Sequence, residues 1–338
     1  MGSVPDFWRD RRVLVTGATG LLGGWLVPAL VDLGAEIVVL VRDRVALSPL
    51  ADPALAERVT EVRGAVEDLE LVTRTANEYE VEAVFHLAAQ TIVGTALRDP
   101  ISTFVSNIQG TWSLLEGCRR AKTVERIVVA SSDKAYGDQP NLPYREDAPL
   151  LGRHPYDVSK ACADLLGQAY AATYDLPVVV TRCGNLFGGG DLNWNRIVPG
   201  TIRAALRGAR PVIRSDGTPV RDYFFVKDAV NAYIRLAEQA HRPEVRGRAY
   251  NFSENRPLTV LEICRLTLAA VGRPELEPVV EGTATHEIRE QWLDGSRART
   301  ELNWKPLYGL ERGLAETVKW YEAYLGRGGR PSRVGDAG

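Results

Sequence analysis

The stretch RVLVTGATGLLGG, residues 12–24, decides how the rest of the chain is read. It opens with a short apolar run, Arg12–Val15, which reads as a buried strand. It continues through Gly17, Gly20 and Gly23 at GxxGxxG spacing into an amphipathic pattern over Leu21–Leu33, which reads as a helix. Glycine suits such a junction because the turn is tight and the backbone can be approached closely by a bound group. The helix that follows offers free N–H groups and the positive end of its dipole to a phosphate. A sharp strand-to-helix turn would explain the glycines alone. Their place between a first strand and a first helix favours a dinucleotide pyrophosphate, cradled by Gly17, Thr19, Gly20, Leu21, Leu22 and Gly23.

Further apolar runs at Glu36–Val41, Val59–Val62, Ala83–Leu87, Arg126–Ala130 and Val178–Arg182 read as strands. They are nearly continuous rather than alternating, as strands covered on both faces are. Helical patterns separate them, notably Ile101–Arg120 and Tyr156–Tyr174. This alternation predicts an α/β fold: a Rossmann doubly wound parallel sheet with a smaller, interleaved α/β substrate lobe. The expected division is 1–183 for the dinucleotide-binding domain, with 225–252 returning to it, and 184–325 mainly for the substrate lobe. In the lobe a helix is expected near Ile197–Leu206, a short strand near Val212 and a last helix over Leu310–Tyr324. Residues 326–338, GRGGRPSRVGDAG, have little apolar surface to bury and are expected to form a disordered tail.

Asp43 falls 20 residues after Gly23, just past the second strand, where a carboxylate can accept from a ribose 2′-hydroxyl. Arg42 and Arg44 flank it and could instead hold a 2′-phosphate. NAD is therefore the expected cofactor, with NADP as the alternative.

The composition removes several function classes. With 41 basic and 43 acidic side chains the formal charge is −2, so no broad basic field invites nucleic acid. No apolar run approaches the ~20 residues of a membrane span, and no signal peptide is apparent, which points to the cytoplasm. The four cysteines, Cys118, Cys162, Cys183 and Cys264, are dispersed without a CxxC pair and read as buried thiols in a reducing compartment. No metal site is expected. His86 and His154 have no ligand-like spacing and read as structural or as supports behind the residues that touch ligand.

Two segments carry groups suited to chemistry. SSDKAYG, residues 131–137, follows the fifth strand, and Tyr156 with Lys160 forms a YxxxK pair at the start of a helix. Four residues is about one helical turn, so phenol and ammonium can face one cleft. A phenol titrates near ~10, and a neighbouring cation lowers that toward a useful base. Ser132 can donate to the same substrate oxygen.

These motifs resemble the extended short-chain dehydrogenase/reductase family acting on nucleotide sugars. The resemblance runs from Arg12 to about Tyr324 and includes FHLAAQ (85–90), NIQGT (107–111), RCGNLFGGGD (182–191) and RDYFFVKDAV (221–230). Within the family the chain most resembles the CDP-glucose 4,6-dehydratase branch, through SSDKAYGDQPNLPYRED, HPYDVSK and GNLFGGGDLNWNRIVP. The resemblance implies that Val66, Leu87, Ala88, Ala89, Gln90 and Asn107 lie beside the cofactor. It assigns Thr91, Ser132, Asn185, Arg196, Arg221 and Arg289 to a nucleotide-diphosphate sugar. It also implies a homodimer formed through helices 101–120 and 156–174.

The implied reaction oxidises C4 of the sugar, eliminates water across C5 and C6, and returns hydride to C6. Tyr156 would take the C4 hydroxyl proton, Lys134 the C5 proton, and a protonated Asp133 would assist the departing C6 hydroxyl. Plainer roles are a turn-capping Asp133 and a solvent-facing Lys134. The enzyme would then be a 4-epimerase, needing only Ser132, Tyr156 and Lys160. A catalytically idle dinucleotide sensor is a third reading, opposed by the intact Ser, Tyr and Lys set. Three departures weaken the choice of nucleotide: Ala65 where the branch has an acidic residue, Gly94 near the place of an arginine, and the epimerase-like RDYFFVKDAV.

Overall fold

The computed structural model describes residues 6–45, 48–283 and 288–326. Apart from Gly326, the tail expected at 326–338 lies outside the described residues. Strands β1 (Arg12–Thr16), β2 (Glu36–Val41), β3 (Val59–Arg63), β4 (Ala83–His86), β5 (Arg126–Ala130) and β6 (Val178–Cys183) match the six apolar runs to within a residue or two. The chain then forms β7 (Asn185–Phe187), β8 (Val212–Ile213), β9 (Val220–Phe225) and β10 (Ala249–Phe252). The remaining strands are β11 (Pro257–Thr259), β12 (Val279–Val280) and β13 (Glu290–Gln291).

The seven-stranded sheet has the order β10-β6-β5-β4-β1-β2-β3, and every pairing in it is parallel. The chain leaves β1 toward β2 and β3, then crosses back to place β4 on the other side of β1. That reversal opens a crevice at the carboxyl ends of β1 and β4, where doubly wound sheets bind ligands.

Two apolar layers cover the sheet. Val13, Val15, Ile37 and Val39 face the helices Leu21–Asp32 and Val226–Gln239, while Leu14, Val38 and Leu40 face the helices Leu69–Glu78 and Gly110–Ala121. Burial of each such side chain is worth about 1.5–3 kcal/mol. The edge strand β3 departs from the continuous pattern, leaving Thr60, Glu61 and Arg63 exposed.

The segment 221–239 divides between two sheets. Its helix, Val226–Gln239, packs on the main sheet, and β10 joins that sheet beside β6. Its strand β9 stays in a second, small sheet, parallel to β7 and β13 and antiparallel to β11. This small sheet faces the carboxyl ends of the large one and brings distant residues to β5.

The helix expected over Ile101–Arg120 is not uniform. It runs as Pro100–Phe104, then a π-helical turn Val105–Gln109, then Gly110–Ala121. Such wide turns concentrate at functional sites, and this one carries the buried Asn107.

Candidate active site

The glycine loop shows which glycines the protein itself requires. Gly17 has φ +74°, and a Cβ there would lie 2.6 Å from the Ala88 nitrogen, so the loop after β4 presses on it. A Cβ on Gly23 would lie 2.3 Å from the Gly17 oxygen, which seats the helix against the turn. Gly20 differs. A Cβ there would approach only the Gly17 oxygen, at 3.4 Å, and the residue is exposed. It caps the helix Leu21–Asp32, whose first turn has no side-chain cap and no acidic residue. The open face at Gly20 and the free N–H groups behind it fit a pyrophosphate.

A relay of hydrogen bonds fixes the walls of this crevice. The Thr111 hydroxyl donates to the Asn107 carbonyl at 2.6 Å, so it accepts from Nε2–H of His86 at 3.0 Å. His86 Nδ1 then accepts from the Thr16 hydroxyl at 2.8 Å, and the Thr16 oxygen accepts from the Ala88 N–H at 3.3 Å. His86 is buried and neutral, its pKa brought down to about 3 by burial and secondarily by Lys160. The Asn107 amide spans the loop after β4 and the helix Pro155–Tyr174. It accepts from the Gln90 N–H at 2.7 Å and donates to the Gln90 carbonyl and the Ser159 hydroxyl. Leu87, Ala88, Ala89 and Gln90 are half-buried along the crevice, Val66 is buried at the end of β3, and Thr91 is exposed. Asp43 and Arg42 are both exposed and form an ion pair at 2.7 Å.

At the carboxyl end of β5 the chain turns through a short 3-10 helix, Asp133–Tyr136. Ser132, rather than Asp133, caps that turn: its oxygen accepts from the Lys134 N–H at 3.2 Å, while its hydroxyl donates to Asp133 Oδ1 at 2.9 Å. Asp133 is buried, and its Oδ2 has no hydrogen-bond partner. Burial lifts its carboxyl above the usual carboxylate range, against the pull of Lys134 and Arg221. A carboxylic acid held neutral is a proton donor in waiting. Lys134 does not extend to solvent; its ammonium donates to the Gln291 carbonyl oxygen.

Tyr156 opens the helix Pro155–Tyr174 beside this turn. Its phenol is pushed up to about 12, by burial first and the Asp133 charge second, while Arg196 and a hydrogen bond with Ser132 act the other way. One turn on, Lys160 is buried, donates to the Ala130 carbonyl at 2.8 Å, and is brought down to about 8 by burial. Ser132, Asp133, Lys134, Tyr156 and Lys160 thus converge beside the crevice.

The substrate-side residues are less uniform. Arg196 caps the helix Ile197–Leu206 and pairs with Asp191 at 3.0 Å. Arg221, on β9, is buried, donates to the Val220 carbonyl at 2.8 Å, and acts on Asp133. Asn185 is half-buried on β7, whereas Arg289 is exposed and contributes its carbonyl to β9. Two further groups had no sequence signal. Gln291 is wholly buried on β13. Asp222 is buried on β9 with its pKa raised to about 7, by burial first, which outweighs the opposing hydrogen bond with Ser253. Among the described residues no cluster of His, Cys, Asp and Glu could hold a metal, and no helix is long and apolar enough to cross a membrane.

Residues 13–252 match the family model described as the NAD dependent epimerase/dehydratase family. The chain belongs to this family. It is 28% identical to the CDP-glucose 4,6-dehydratase of Salmonella typhimurium, over 95% of this chain and 93% of that protein. It is 31% identical to the UDP-glucose 4-epimerase of Mycolicibacterium smegmatis, over 92% of this chain and 98% of that protein. Among solved structures it resembles the dTDP-glucose 4,6-dehydratase of Bacillus anthracis in complex with NAD. The TM-score is 0.80 at 27% identity, over 93% of this chain and 97% of that one.

Proposed function

We propose that the protein is an NAD-dependent nucleotide-sugar 4,6-dehydratase, with CDP-glucose as the first substrate to test. The observation that carries this is Asp133, a buried carboxyl held toward its neutral form beside Tyr156. A 4-epimerase removes and returns one hydride and has no use for an acid there. A dehydratase must expel a hydroxyl.

The open Gly20 face, the uncapped helix and Asp43 support NAD. When bound, the nicotinamide supplies the hydride acceptor for C4 and the hydride donor for C6. Tyr156 is assigned the C4 hydroxyl proton, with Ser132 fixing that oxygen. Burial holds its phenol up at about 12 rather than lowering it as the sequence suggested, so it would act as a base only once the positive charge of a bound oxidised nicotinamide lies beside it. The ketone at C4 acidifies C5–H, which Lys134 removes in its amine form. Asp133 gives its proton to the C6 hydroxyl, which leaves as water, and a proton returned to C5 completes the 4-keto-6-deoxy sugar. Arg221 and Arg196 supply guanidinium forks suited to the diphosphate.

The second reading is a 4-epimerase, favoured by the similarity to the M. smegmatis enzyme over nearly the whole chain. Incubation with CDP-, dTDP-, UDP-, GDP- and ADP-sugars, followed by product analysis, separates them. A dehydratase gives a 4-keto-6-deoxy product that absorbs in alkali, and an epimerase gives an isomer.

A homodimer is part of the proposal. Leu97, Ile101 and Leu165 are 57%, 69% and 56% exposed on neighbouring helices, with Trp112 beside them at 38%. A second copy of this chain would cover this apolar face.

A further inference from the structure

Gln291 lies 157 positions along the chain from Lys134, yet its buried side chain touches the Asp133-Lys134 pair twice. Its oxygen accepts from the Lys134 ammonium, and its nitrogen donates to the Asp133 carbonyl at 3.0 Å. The amide has only one orientation that satisfies both, because an ammonium can only donate and a backbone carbonyl can only accept. β13 holds Gln291 opposite Arg221 of β9, so the residue reaches the catalytic turn from the substrate side of the molecule.

We infer that Gln291 is a positioning residue for Lys134, holding its nitrogen toward the sugar with a neutral acceptor. Neutrality matters because an acceptor that carried a negative charge would bind the ammonium form directly. The Lys134 charge acts on the buried carboxyl groups of Asp133 and Asp157, and Arg221 acts on Asp133 from β9. A carboxylate in place of the amide would hold the ammonium more tightly and leave less of the amine that takes a proton. It would also lose the N–H that ties down the Asp133 carbonyl. This inference rests on the proposed role of Lys134 as the C5 base.

The test compares wild type, Gln291→Glu and Gln291→Met, all checked for native thermal unfolding. One readout needs no substrate: titration of the Lys134 side-chain nitrogen by NMR, assigned by loss of its signal in Lys134→Met. Gln291→Glu should raise that pKa by at least one pH unit. The second readout is turnover. Gln291→Met should slow elimination 10-fold or more while C4 oxidation keeps its rate, so that reduced nicotinamide accumulates. Gln291→Glu should move the acidic limb of the kcat profile to higher pH. An unmoved Lys134 titration in folded Gln291→Glu overturns the inference, as does equal slowing of oxidation and elimination in Gln291→Met. If wild type makes no 4-keto-6-deoxy sugar, the dehydratase reading fails, while the Lys134 titration still decides whether Gln291 controls that nitrogen.

Discussion

Ser132 and Asp133 are joined by a hydrogen bond of 2.9 Å that engages only one carboxyl oxygen, Oδ1, and leaves the buried Oδ2 unpartnered. The free oxygen is where a transferable proton can reside. Asp133→Asn keeps the shape and removes that proton. Its kcat should fall by about 10²–10³, within the range of general acid catalysis, while a single turnover still shows reduction of the nicotinamide. Stopped-flow absorbance checks this. Loss of both steps together would contradict the role.

Gly17 and Gly20 should fail in different ways. Gly17→Ala meets the Ala88 nitrogen at 2.6 Å from a backbone of φ +74°, so thermal unfolding should report a loss of about 1–3 kcal/mol. Gly20→Ala has room in the protein and a φ of −82°, so its stability should stay within about 0.5 kcal/mol of wild type. Its NAD affinity, measured by calorimetry, should nonetheless fall 10-fold or more. Unchanged affinity would remove the pyrophosphate from this turn.

His86 gives stability a defined pH dependence. Its pKa is about 3 in the folded protein, against an ordinary value of 6.5, so between these values the unfolded chain binds the extra proton. Stability therefore falls as pH drops below 6.5. Between pH 6.5 and 5 this group alone should cost about 2 kcal/mol. Denaturant titrations of wild type and His86→Gln at the two pH values isolate the effect, and an equal loss of stability in both proteins would contradict it.

The exposed apolar face makes a prediction about assembly. Wild type should sediment as a dimer, and Ile101→Asp with Leu165→Asp should sediment as a folded monomer. A wild type that remains monomeric at high concentration would leave those side chains without a partner.

Much of this site was legible because its parts are local. Gly17 to Gly23 adjoin in sequence and Tyr156 and Lys160 are one helical turn apart, so their spacing groups them, whereas Asp133 and Lys134 stood out through the family resemblance. The π-helical turn at Asn107 has no composition that marks it. Gln291 and Asp222 escaped for another reason. Their place beside the turn after β5 comes from the pairing of β9 and β13, a contact between residues far apart in sequence. The buried aromatic run of β9 does not by itself mark its sheet: its partners are β7, β11 and β13.

In the proposed reaction one hydride leaves C4 and returns to C6 within a single active site. The most direct measurement uses CDP-glucose, or whichever nucleotide sugar the panel selects, carrying deuterium at C4. The expected product is a 4-keto-6-deoxy sugar with the deuterium in its C6 methyl group. Deuterium retained at C4 in an epimerised sugar would contradict it.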